Sequence, residues 1–374
     1  MKTYPVAKPF IGADEIRAVT RVLKSGYLSL GPVHREFENA FAKEIGTKYA
    51  VSVSSGTSGL HLAMLAAGIG KGDEVITSPF SFVASANAIL YVGAKPVFVD
   101  VDPVTANMDP KLIEKKITKQ TKAILVVHIF GQAADMNPIV KIARKHRLKI
   151  IEEACESVNS TNKRKKVGTF GESAVFAFYP NKQMTTGEGG ILVTDSERVA
   201  ELTRSLANHG RGDDLQWLDH VRLGYNYRMD EMSATVGLEQ LKKIDFLIRK
   251  RQQVAKWYDR ALAPYADLVE TPKIAKGNTH TYFVYVVRLK GKNAKRDDVI
   301  HDLKKIGVQT KPYLPSIHLL SFYRKQFGFR KGDFPISERI SDRSLALPLY
   351  IGLTERDVRV ILQRLIQVLR AYDE

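Results

Sequence analysis

Residues 176–190 read FAFYPNKQMTTGEGG, and the predicted organisation of the chain starts from this stretch. A strand-like apolar run stops at Pro180, and a second apolar run leaves after Gly190. Between them lies a single lysine, Lys182, followed by a turn rich in threonine and glycine. Glycines at this density let a backbone approach a neighbouring segment or a ligand closely. Lys182 is therefore a candidate for Schiff-base chemistry, and a surface lysine in a tight turn is the alternative.

Upstream of this stretch, strand-like segments alternate with helical ones. The strand runs are almost continuously apolar, which is typical of a mostly parallel sheet covered by helices on both faces. A first amphipathic helix is predicted over 13–24, with one apolar face formed by Ile16, Val19, Val22 and Leu23. The predicted strands that follow are 49–53, 74–78, 96–100, 121–127 and 149–153.

The ends of these strands carry polar, glycine and aromatic residues. In parallel α/β sheets, ligands bind in the crevice at the carboxyl ends of the strands. We expect Lys182 to face this crevice. The other residues expected to converge there are Ser55-Gly56-Thr57, Phe82, His128 and Glu153.

The second part of the chain has an α+β character. A long helix is expected over about 230–262, with a break near Asp245. The boundary placed near residue 250 gives a large domain over 1–250 and a smaller domain over 251–374. The elements predicted after the boundary are a strand at 282–289, a helix at 296–306, a strand at 308–312 and a closing helix at 354–369.

The composition of the 374 residues is that of an ordinary globular protein, with 44% hydrophobic and 26% charged residues. The single cysteine, Cys155, excludes a disulfide within the chain and fits a reducing compartment. The first residues lack the apolar segment of a signal peptide, and no apolar run is long enough to span a bilayer. We therefore expect a cytoplasmic protein that does not enter a membrane.

The formal net charge of +17 raises the question of an anionic partner. The basic residues are spread along the chain, with short clusters only at 163–166 and 249–251, and the spacings typical of zinc fingers, basic heptads and RNA-binding strands are missing. We therefore expect no nucleic-acid partner and no metal site. A surface that attracts an anionic small molecule and a lysine-rich solubilising surface both remain open.

The segment after the strand at 49–53 is a candidate anion site. It reads Ser54-Ser55-Gly56-Thr57-Ser58-Gly59, and a helix is predicted from Leu60. Backbone N–H groups and the positive end of a helix would point at one spot there. The segment lacks the ending of a phosphate-binding Walker loop, and an ordinary capped helix is the alternative.

Taken together, these residues match a cofactor with a phosphate, an aromatic ring, a basic ring nitrogen and an aldehyde. Ser55, Gly56 and Thr57 would hold the phosphate, and Phe82 would stack on the ring. Glu153 would pair with the protonated ring nitrogen, and Lys182 would form the imine. Pyridoxal 5'-phosphate (PLP) has all four features.

The chain resembles the sugar aminotransferases of the DegT/DnrJ/EryC1/StrS family over nearly its whole length. Each matching stretch alone is a weak signal, but all of them in this order are specific. The stretches are residues 26–32, 55–57, 82–87, 93–96, 128–132, 182 with 185–190, 224–229 and 317–318.

The resemblance implies an α/β protein of PLP fold type I, similar to aspartate aminotransferase. It has a mostly parallel central sheet flanked by helices and a smaller α+β C-terminal domain. The implied activity is a PLP-dependent transamination through a Schiff base on Lys182. The amino group would pass from an amino acid, with L-glutamate as the expected donor, to a nucleotide-linked keto sugar in amino-sugar or polysaccharide biosynthesis.

The resemblance also assigns roles to individual residues. Gly56 and Thr57 occupy phosphate-binding positions, and Phe82 occupies the ring-stacking position. Glu156 is expected near the phenolic oxygen of the cofactor. Asn226 is expected to reach the phosphate of the neighbouring subunit's cofactor, which implies a homodimer with shared active sites.

Three further residues are candidates for contact with the substrate. Arg228 and Lys311 would contact the pyrophosphate, with an ordinary salt bridge as the alternative for each. His318 would contact the sugar, and a structural histidine that caps a turn is its alternative.

Two positions depart from the family pattern. Glu153 stands where aspartate is usual, and Ala177 stands where serine often donates a hydrogen bond to the phosphate, a bond worth about 0.5–1.5 kcal/mol. The Glu153 departure leaves open a PLP-binding regulatory protein without turnover. A further alternative is a PLP-dependent sugar dehydratase, against which Lys182 argues because histidine replaces the lysine in that class.

Overall fold

The computed structural model describes residues 2–212, 219–291 and 294–372, so the outermost ends of the two predicted domains lie outside the described residues. Within them the first part of the chain forms a seven-stranded sheet and a short hairpin. The strands are β1 (Tyr49–Val53), β2 (Glu74–Thr77), β3 (Lys95–Phe98), β4 (Thr121–Val127), β5 (Lys149–Glu153), the hairpin β6 (Thr161–Asn162) and β7 (Lys165–Lys166), β8 (Ser173–Ala177) and β9 (Gly190–Thr194).

The order of the large sheet is β1-β9-β8-β5-β4-β2-β3. The five strands from β8 to β3 run parallel, whereas β9 pairs antiparallel with both β8 and β1. The mostly parallel α/β sheet expected from the alternating pattern is confirmed. The carboxyl ends of β5 and β8 lie side by side, because Glu153 pairs with Val175.

Helices cover both faces of this sheet and surround the rest of the chain. They are α1 (Ala13–Ser25), α2 (Pro32–Ile45), α3 (Gly56–Ala66), α4 (Ala84–Tyr91), α5 (Pro110–Ile113), α6 (Met136–His146), α7 (Glu197–Ala207), α8 (Glu231–Leu241), α9 (Ile244–Leu262), α10 (Arg296–Lys305), α11 (Ser321–Phe327), α12 (Pro335–Arg343) and α13 (Glu355–Arg370).

Alternate residues of β8 enter the cores on opposite faces of the sheet. Val175 and Ala177 pack in the core with α3 and α4, whereas Ala174 and Phe176 pack in the core with α2 and α8. A strand buried on both faces must be apolar throughout, which explains the continuous apolar runs in the sequence.

A second, four-stranded sheet forms the smaller α+β unit. Its strands are β10 (Val269–Glu270), β11 (Tyr285–Leu289), β12 (Lys311–Pro312) and β13 (Ser344–Leu347). They pair antiparallel in the order β10-β11-β13-β12. Tyr258, Leu303 and Leu365 of the surrounding helices pack in its core, and Tyr4 from the beginning of the chain joins them.

The boundary predicted near residue 250 falls inside α9. Leu247 and Ile248 of this helix belong to the core of the large sheet, whereas Val254 and Tyr258 belong to the core of the small one. α9 therefore joins the two units, and the division at 250 stays a prediction. The break expected near Asp245 corresponds to the interruption between α8 and α9.

Two local predictions need correction. Helix α3 begins at Gly56 and not at Leu60, because the Ser55 hydroxyl accepts a hydrogen bond from the Ser58 amide (3.1 Å) and caps the helix four residues earlier. Helix α1 leaves Ile16 and Leu23 exposed.

The buried face of α1 instead contains a carboxylate, Glu15. This carboxylate accepts hydrogen bonds from Gln240 Nε2 (2.6 Å) and the Gly12 amide (2.9 Å), and it pairs with Lys243 (2.5 Å). These partners offset the free-energy cost of burying a charged residue. The apolar periodicity of the helix could not predict this buried carboxylate.

None of the described helices combines the length and the apolar character needed to cross a membrane.

Candidate active site

Lys182 lies in the loop between β8 and β9, close to one end of the large sheet. Its amide donates to the Tyr179 carbonyl (2.9 Å), which folds the loop back after Pro180. Its side chain is 13% exposed, and Nζ lies 3.5 Å from Oε1 of Glu156. The same Nζ lies 4.0 Å from the ring centroid of Phe283, within cation–π distance. The amine is therefore held between a carboxylate and an aromatic face.

Lys182 faces a cavity of about 560 Å³ between the large sheet and the 311–314 segment of the small unit. This volume is in the range of small-molecule sites. The predicted site residues that line the cavity are Ser55, Gly56, Thr57, Phe82, Glu153, Glu156, Lys182 and Lys311. The structure thus brings most of the predicted site together.

The first turn of α3 forms one wall of the cavity. The amides of Gly56 and Thr57 have no acceptor within the helix, and the helix dipole makes this end positive. A Cβ atom at Gly56 would lie 2.7 Å from the Cβ of Ala177 and 3.0 Å from Sγ of Cys155. The absence of a side chain at Gly56 lets the helix end approach β8, which keeps its amides at the cavity wall.

Glu153 ends β5 and is buried at the cavity wall. Its Oε1 accepts a hydrogen bond from the Cys155 amide (3.0 Å), and its Oε2 accepts one from the Ser85 hydroxyl (3.5 Å). Ser85 in turn exchanges a hydrogen bond with Ser81 (2.7 Å). The longer side chain that replaces aspartate is therefore held by Cys155, which follows β5, and by Ser85 of α4.

Glu156 follows on the same loop and is buried as well. Its Oε2 accepts a hydrogen bond from the Phe130 amide (2.9 Å), while its Oε1 faces Lys182. Burial raises the pKa of Glu156, and the nearby charge of Lys182 opposes this shift. This carboxyl can therefore hold a proton closer to neutral pH than an exposed glutamate.

Phe82 lies just before α4 at the mouth of the cavity. Its ring is 60% exposed although it borders an otherwise buried wall. An exposed ring at a cavity mouth can stack on a planar ligand.

Asn226 and Arg228 lie outside this cavity, on the segment between α7 and α8. Asn226 pairs with Asn208 through the backbone, and Arg228 Nη1 donates to Oδ1 of Asn208 (2.9 Å). Arg228 lines a second hollow of about 380 Å³, together with Arg35 and Arg204. Neither residue therefore lines the cavity that contains Lys182 of the same chain.

His318 is fully buried and does not line the cavity. Its Nε2 pairs with Oε1 of Glu338 (2.9 Å), and the Phe334 ring packs edge-on against the imidazole at 4.7 Å. The alternative, a structural histidine, describes this position better than a contact with a sugar.

His128 is a second histidine that the sequence placed in the crevice and the structure does not. The Ala134 amide donates to its Nδ1 (3.1 Å), so Nε2 carries the hydrogen and donates to Glu152 (3.0 Å). Both side chains are fully buried. The expectation that His128 joins the crevice was wrong, because its two ring nitrogens are already bonded within the core.

Several residues at the cavity were missed by the sequence analysis. Asn181 adjoins Lys182 and donates to the Tyr313 hydroxyl (3.4 Å), which comes from the small unit. Tyr179, Asn181 and Glu188 lie in the 176–190 stretch and Cys155 lies between Glu153 and Glu156, so their proximity in the sequence was a usable signal, whereas nothing in the sequence links Phe283 and Tyr313 to the site. The missed residues are Cys155, Tyr179, Asn181, Glu188, Phe283 and Tyr313.

Among the residues that the structure describes, no group of three or more histidine, cysteine, aspartate or glutamate side chains could hold a metal ion.

Residues 9–366 match the sequence model of the DegT/DnrJ/EryC1/StrS aminotransferase family. The chain belongs to this family. The resemblance drawn from the sequence motifs is confirmed, and the protein is a PLP-dependent sugar aminotransferase with the α/β fold of that class.

Relatives and solved structures support this assignment over the full length. The chain is 39% identical to GDP-perosamine synthase of Caulobacter vibrioides, covering 97% of this chain and 98% of the relative. It is 38% identical to the spore coat polysaccharide biosynthesis protein SpsC of Bacillus subtilis, covering 99% and 98%. It superimposes on Helicobacter pylori PseC, an aminotransferase of pseudoaminic acid biosynthesis, with a TM-score of 0.93 at 28% identity, covering 99% and 100%.

The residues of the cavity fit PLP. The cavity offers an amine for the aldehyde and an open helix end for the phosphate. It also offers a buried carboxylate for the basic ring nitrogen. The close approach of Gly56 to Ala177, which a Cβ atom at Gly56 would prevent, keeps the helix end at the cavity wall where a phosphate would bind.

Proposed function

We propose that this aminotransferase moves the amino group of L-glutamate to a keto sugar linked to a nucleoside diphosphate, with Lys182 as the reacting lysine. The observation that carries the proposal is the position of the Lys182 amine. It lies in a cavity, 3.5 Å from the Glu156 carboxylate, and shares that cavity with the open N-terminus of α3. The name of the relative GDP-perosamine synthase supports a nucleotide-linked substrate.

Lys182 has two roles in this proposal. Its Nζ would hold the cofactor covalently in the resting enzyme. Once an amino acid had displaced it, the free Nζ would accept the proton that leaves the α-carbon of the donor and would pass it to the cofactor. When bound, PLP supplies a protonated ring that stabilises negative charge at the reacting carbon.

Glu156 assists Lys182 as the carboxyl partner of the amine. Its Oε1 lies 3.5 Å from Nζ, and burial raises the pKa of this carboxyl. The Phe283 ring covers Nζ from another direction and keeps water from that side. Together they orient the amine towards the cavity.

The phosphate is held by the first turn of α3 in this proposal. The amides of Gly56 and Thr57 point to the cavity, and the hydroxyls of Ser55 and Thr57 add donors. Ala177 supplies no hydroxyl there, and its methyl group instead fills the space next to Gly56. Glu153 pairs with the proton of the ring nitrogen, held in place by the Cys155 amide.

The active unit is a homodimer in this proposal. Large apolar side chains are exposed at the loop after α1 and beside the segment that carries Asn226. They are Tyr27, Leu28, Leu30, Tyr91 and Leu223, the last of which is 84% exposed. An apolar surface of this kind supports a second subunit. Asn226 then reaches the partner's phosphate site.

The pyrophosphate of the sugar nucleotide needs cationic partners. Lys311 lines the cavity in its own chain, and Arg228 would approach the cavity of the second subunit. A guanidinium and an ammonium are both strong partners for phosphate oxygens. These two residues are the proposed contacts, in keeping with the positive net charge of the chain.

The test is a half-reaction with a single donor. Purified holoenzyme is expected to absorb in the visible, to lose that band on addition of L-glutamate and to release one 2-oxoglutarate per site. D-glutamate serves as the control. A panel of nucleoside diphosphate keto sugars then identifies the acceptor by return of the band. Holoenzyme that shows the band but does not react with L-glutamate would overturn the donor assignment.

A further inference from the structure

Arg251 of α9 is a buried cation without a counter-ion. Its side chain belongs to a residue that is 4% exposed, and no ion pair joins it to a carboxylate in the part of the chain that the structure describes. Burial lowers the pKa of Arg251 to about 10, so the guanidinium stays charged at neutral pH. Removing a charge from water is costly unless other groups compensate.

The compensating groups are three backbone carbonyls around the lysine. Nη2 of Arg251 donates to the carbonyl of Lys182 (2.7 Å). Nη1 donates to the carbonyls of Phe283 (3.3 Å) and Tyr282 (3.4 Å). One guanidinium thus binds the backbone of Lys182 and the backbone of the residue whose ring lies 4.0 Å from the Lys182 amine.

These contacts close a ring of interactions around Lys182. The Phe283 amide donates to the Phe130 carbonyl (3.0 Å), and the Phe130 amide donates to Oε2 of Glu156 (2.9 Å). Oε1 of Glu156 meets Nζ of Lys182 at 3.5 Å. The contacts thus run from Arg251 through Phe283, Phe130 and Glu156 to the Lys182 amine. The hydrogen bond between the Lys182 carbonyl and Arg251 closes the ring.

Phe130, which lies on this path, and Tyr282, whose carbonyl also accepts from Arg251, have unusual backbone conformations. Phe130 has φ of 59° and Tyr282 has φ of 50°, a region that non-glycine residues rarely occupy. Such conformations persist only where surrounding contacts hold them. The Arg251 bonds to the carbonyls of Tyr282 and Phe283 are contacts of this kind.

We propose that Arg251 is a positioning residue for transamination, which fixes the Lys182 amine against Phe283 and Glu156 by binding the backbone on both sides. The inference rests on the proposed function in one respect, namely that Lys182 is the reacting lysine. Arg251 also stabilises the fold, because its loss leaves three buried carbonyls without a donor, so the tests measure the reaction of Lys182 separately from folding.

The first test compares two arginines that bind backbone carbonyls, one next to Lys182 and one away from it. Arg251→Met holoenzyme is expected to react with L-glutamate about 100-fold more slowly in a single turnover, since a small misplacement of a reacting group costs about this much. The concentration of L-glutamate that gives half the maximal rate is expected to change less than about threefold, because Arg251 does not line the cavity.

Arg288→Met is the matched control. Arg288 is partly buried, pairs with Glu270 (3.6 Å) and donates to two backbone carbonyls, those of Pro103 and Val104, away from Lys182. Its single-turnover rate is expected to stay near that of the wild type. An equal slowing in both variants, or a wild-type rate in folded Arg251→Met, would overturn the proposal.

Rescue separates positioning from a general loss of structure. Arg251→Lys retains a cation but offers a single donor group, and we expect an intermediate rate. Guanidinium chloride at millimolar concentration is expected to accelerate Arg251→Ala but not Lys182→Ala. The absence of both effects would contradict the proposal, and the thermal unfolding midpoint of each variant reports whether it is folded.

A readout that does not depend on turnover completes the test. Apoprotein is mixed with PLP, quenched with borohydride at successive times and analysed for labelled Lys182 by peptide mass spectrometry. Arg251→Lys, which tests the proposal even if Arg251→Met does not fold, is expected to label Lys182 more slowly than wild type. Labelling at the wild-type rate would refute the positioning role alone, whereas an unlabelled Lys182 in wild type would refute the proposed function.

Discussion

A Cβ atom at Gly56 would lie 2.7 Å from the Cβ of Ala177, so the first turn of α3 approaches the end of β8 more closely than a residue with a side chain at position 56 would allow. This contact places the open amides of α3 in the same cavity as Lys182. The small residue at 177, which departs from the family pattern, is therefore compatible with the tight approach of the helix.

Gly56→Ala is predicted to weaken PLP binding at least about tenfold, because the added methyl group forces the helix end away from β8 and moves its amides. The dissociation constant of PLP, measured by fluorescence quenching of the apoprotein, checks this. Gly70→Ala is the control, since no atom lies within 4 Å of the Cβ position there. Unchanged affinity in Gly56→Ala would show that the phosphate binds elsewhere.

Glu153→Gln is predicted to slow the half-reaction with L-glutamate by about 100-fold or more, because a neutral amide cannot stabilise the protonated ring nitrogen. The variant is expected to stay folded, since an amide oxygen can still accept the hydrogen bond of the Cys155 amide. Stopped-flow absorbance measures the rate, and near-ultraviolet circular dichroism of the apoprotein controls for folding. A rate within threefold of wild type would argue for a different partner of the ring.

Acid pH is predicted to destabilise the protein through His280. Burial lowers the pKa of His280 from 6.5 to about 3, while its Nδ1 accepts from the Tyr282 amide (3.0 Å). The unfolded state therefore binds a proton that the folded state does not between these values. The stability contributed by the neutral imidazole is present above pH 6.5 and decreases as the pH falls towards 3.

By pH 4 the loss from this group amounts to about 3 kcal/mol. Urea unfolding of the apoprotein at pH 7 and pH 4 measures it, and His280→Gln is expected to show a smaller loss than wild type. His301→Gln removes an exposed imidazole and is expected to keep the wild-type dependence. Equal pH dependence in wild type and His280→Gln would contradict the assignment.

The shared active site is tested by mixing two inactive chains. In a mixed dimer of Lys182→Ala and Asn226→Ala, one site carries both substitutions and the other carries neither. Random mixing of equal amounts is therefore predicted to restore about a quarter of the wild-type activity. Each variant alone serves as the baseline. No recovery after exchange of subunits, verified by mass spectrometry of the dimers, would show that Asn226 does not act across the interface.

The sequence predicted those site residues whose position depends on the strand next to them in the chain. Ser55-Gly56-Thr57, Glu153 and Lys182 each end a strand or follow one, and parallel strands bring their carboxyl ends together, so their meeting could be predicted. The exact start of α3 could not, because a capped helix start and a turn have the same serine- and glycine-rich composition.

Features that depend on distant partners were not predictable. His128 was expected in the crevice and His318 at the sugar, but Glu152 and Glu338 bind them in the core at separations of 24 and 20 residues. Arg251 meets the Lys182 carbonyl across 69 residues, and Tyr313 meets Asn181 across 132. The last two pairs depend on the packing of the small unit against the large one.

The role of Lys182 is tested most directly by identifying the lysine that binds the cofactor. Holoenzyme is reduced with borohydride, digested and analysed by peptide mass spectrometry. We expect the pyridoxyl phosphate modification on Lys182, and Lys182→Ala is expected to lose both the modification and the visible band. Modification of another lysine, with a visible band that persists in Lys182→Ala, would contradict it.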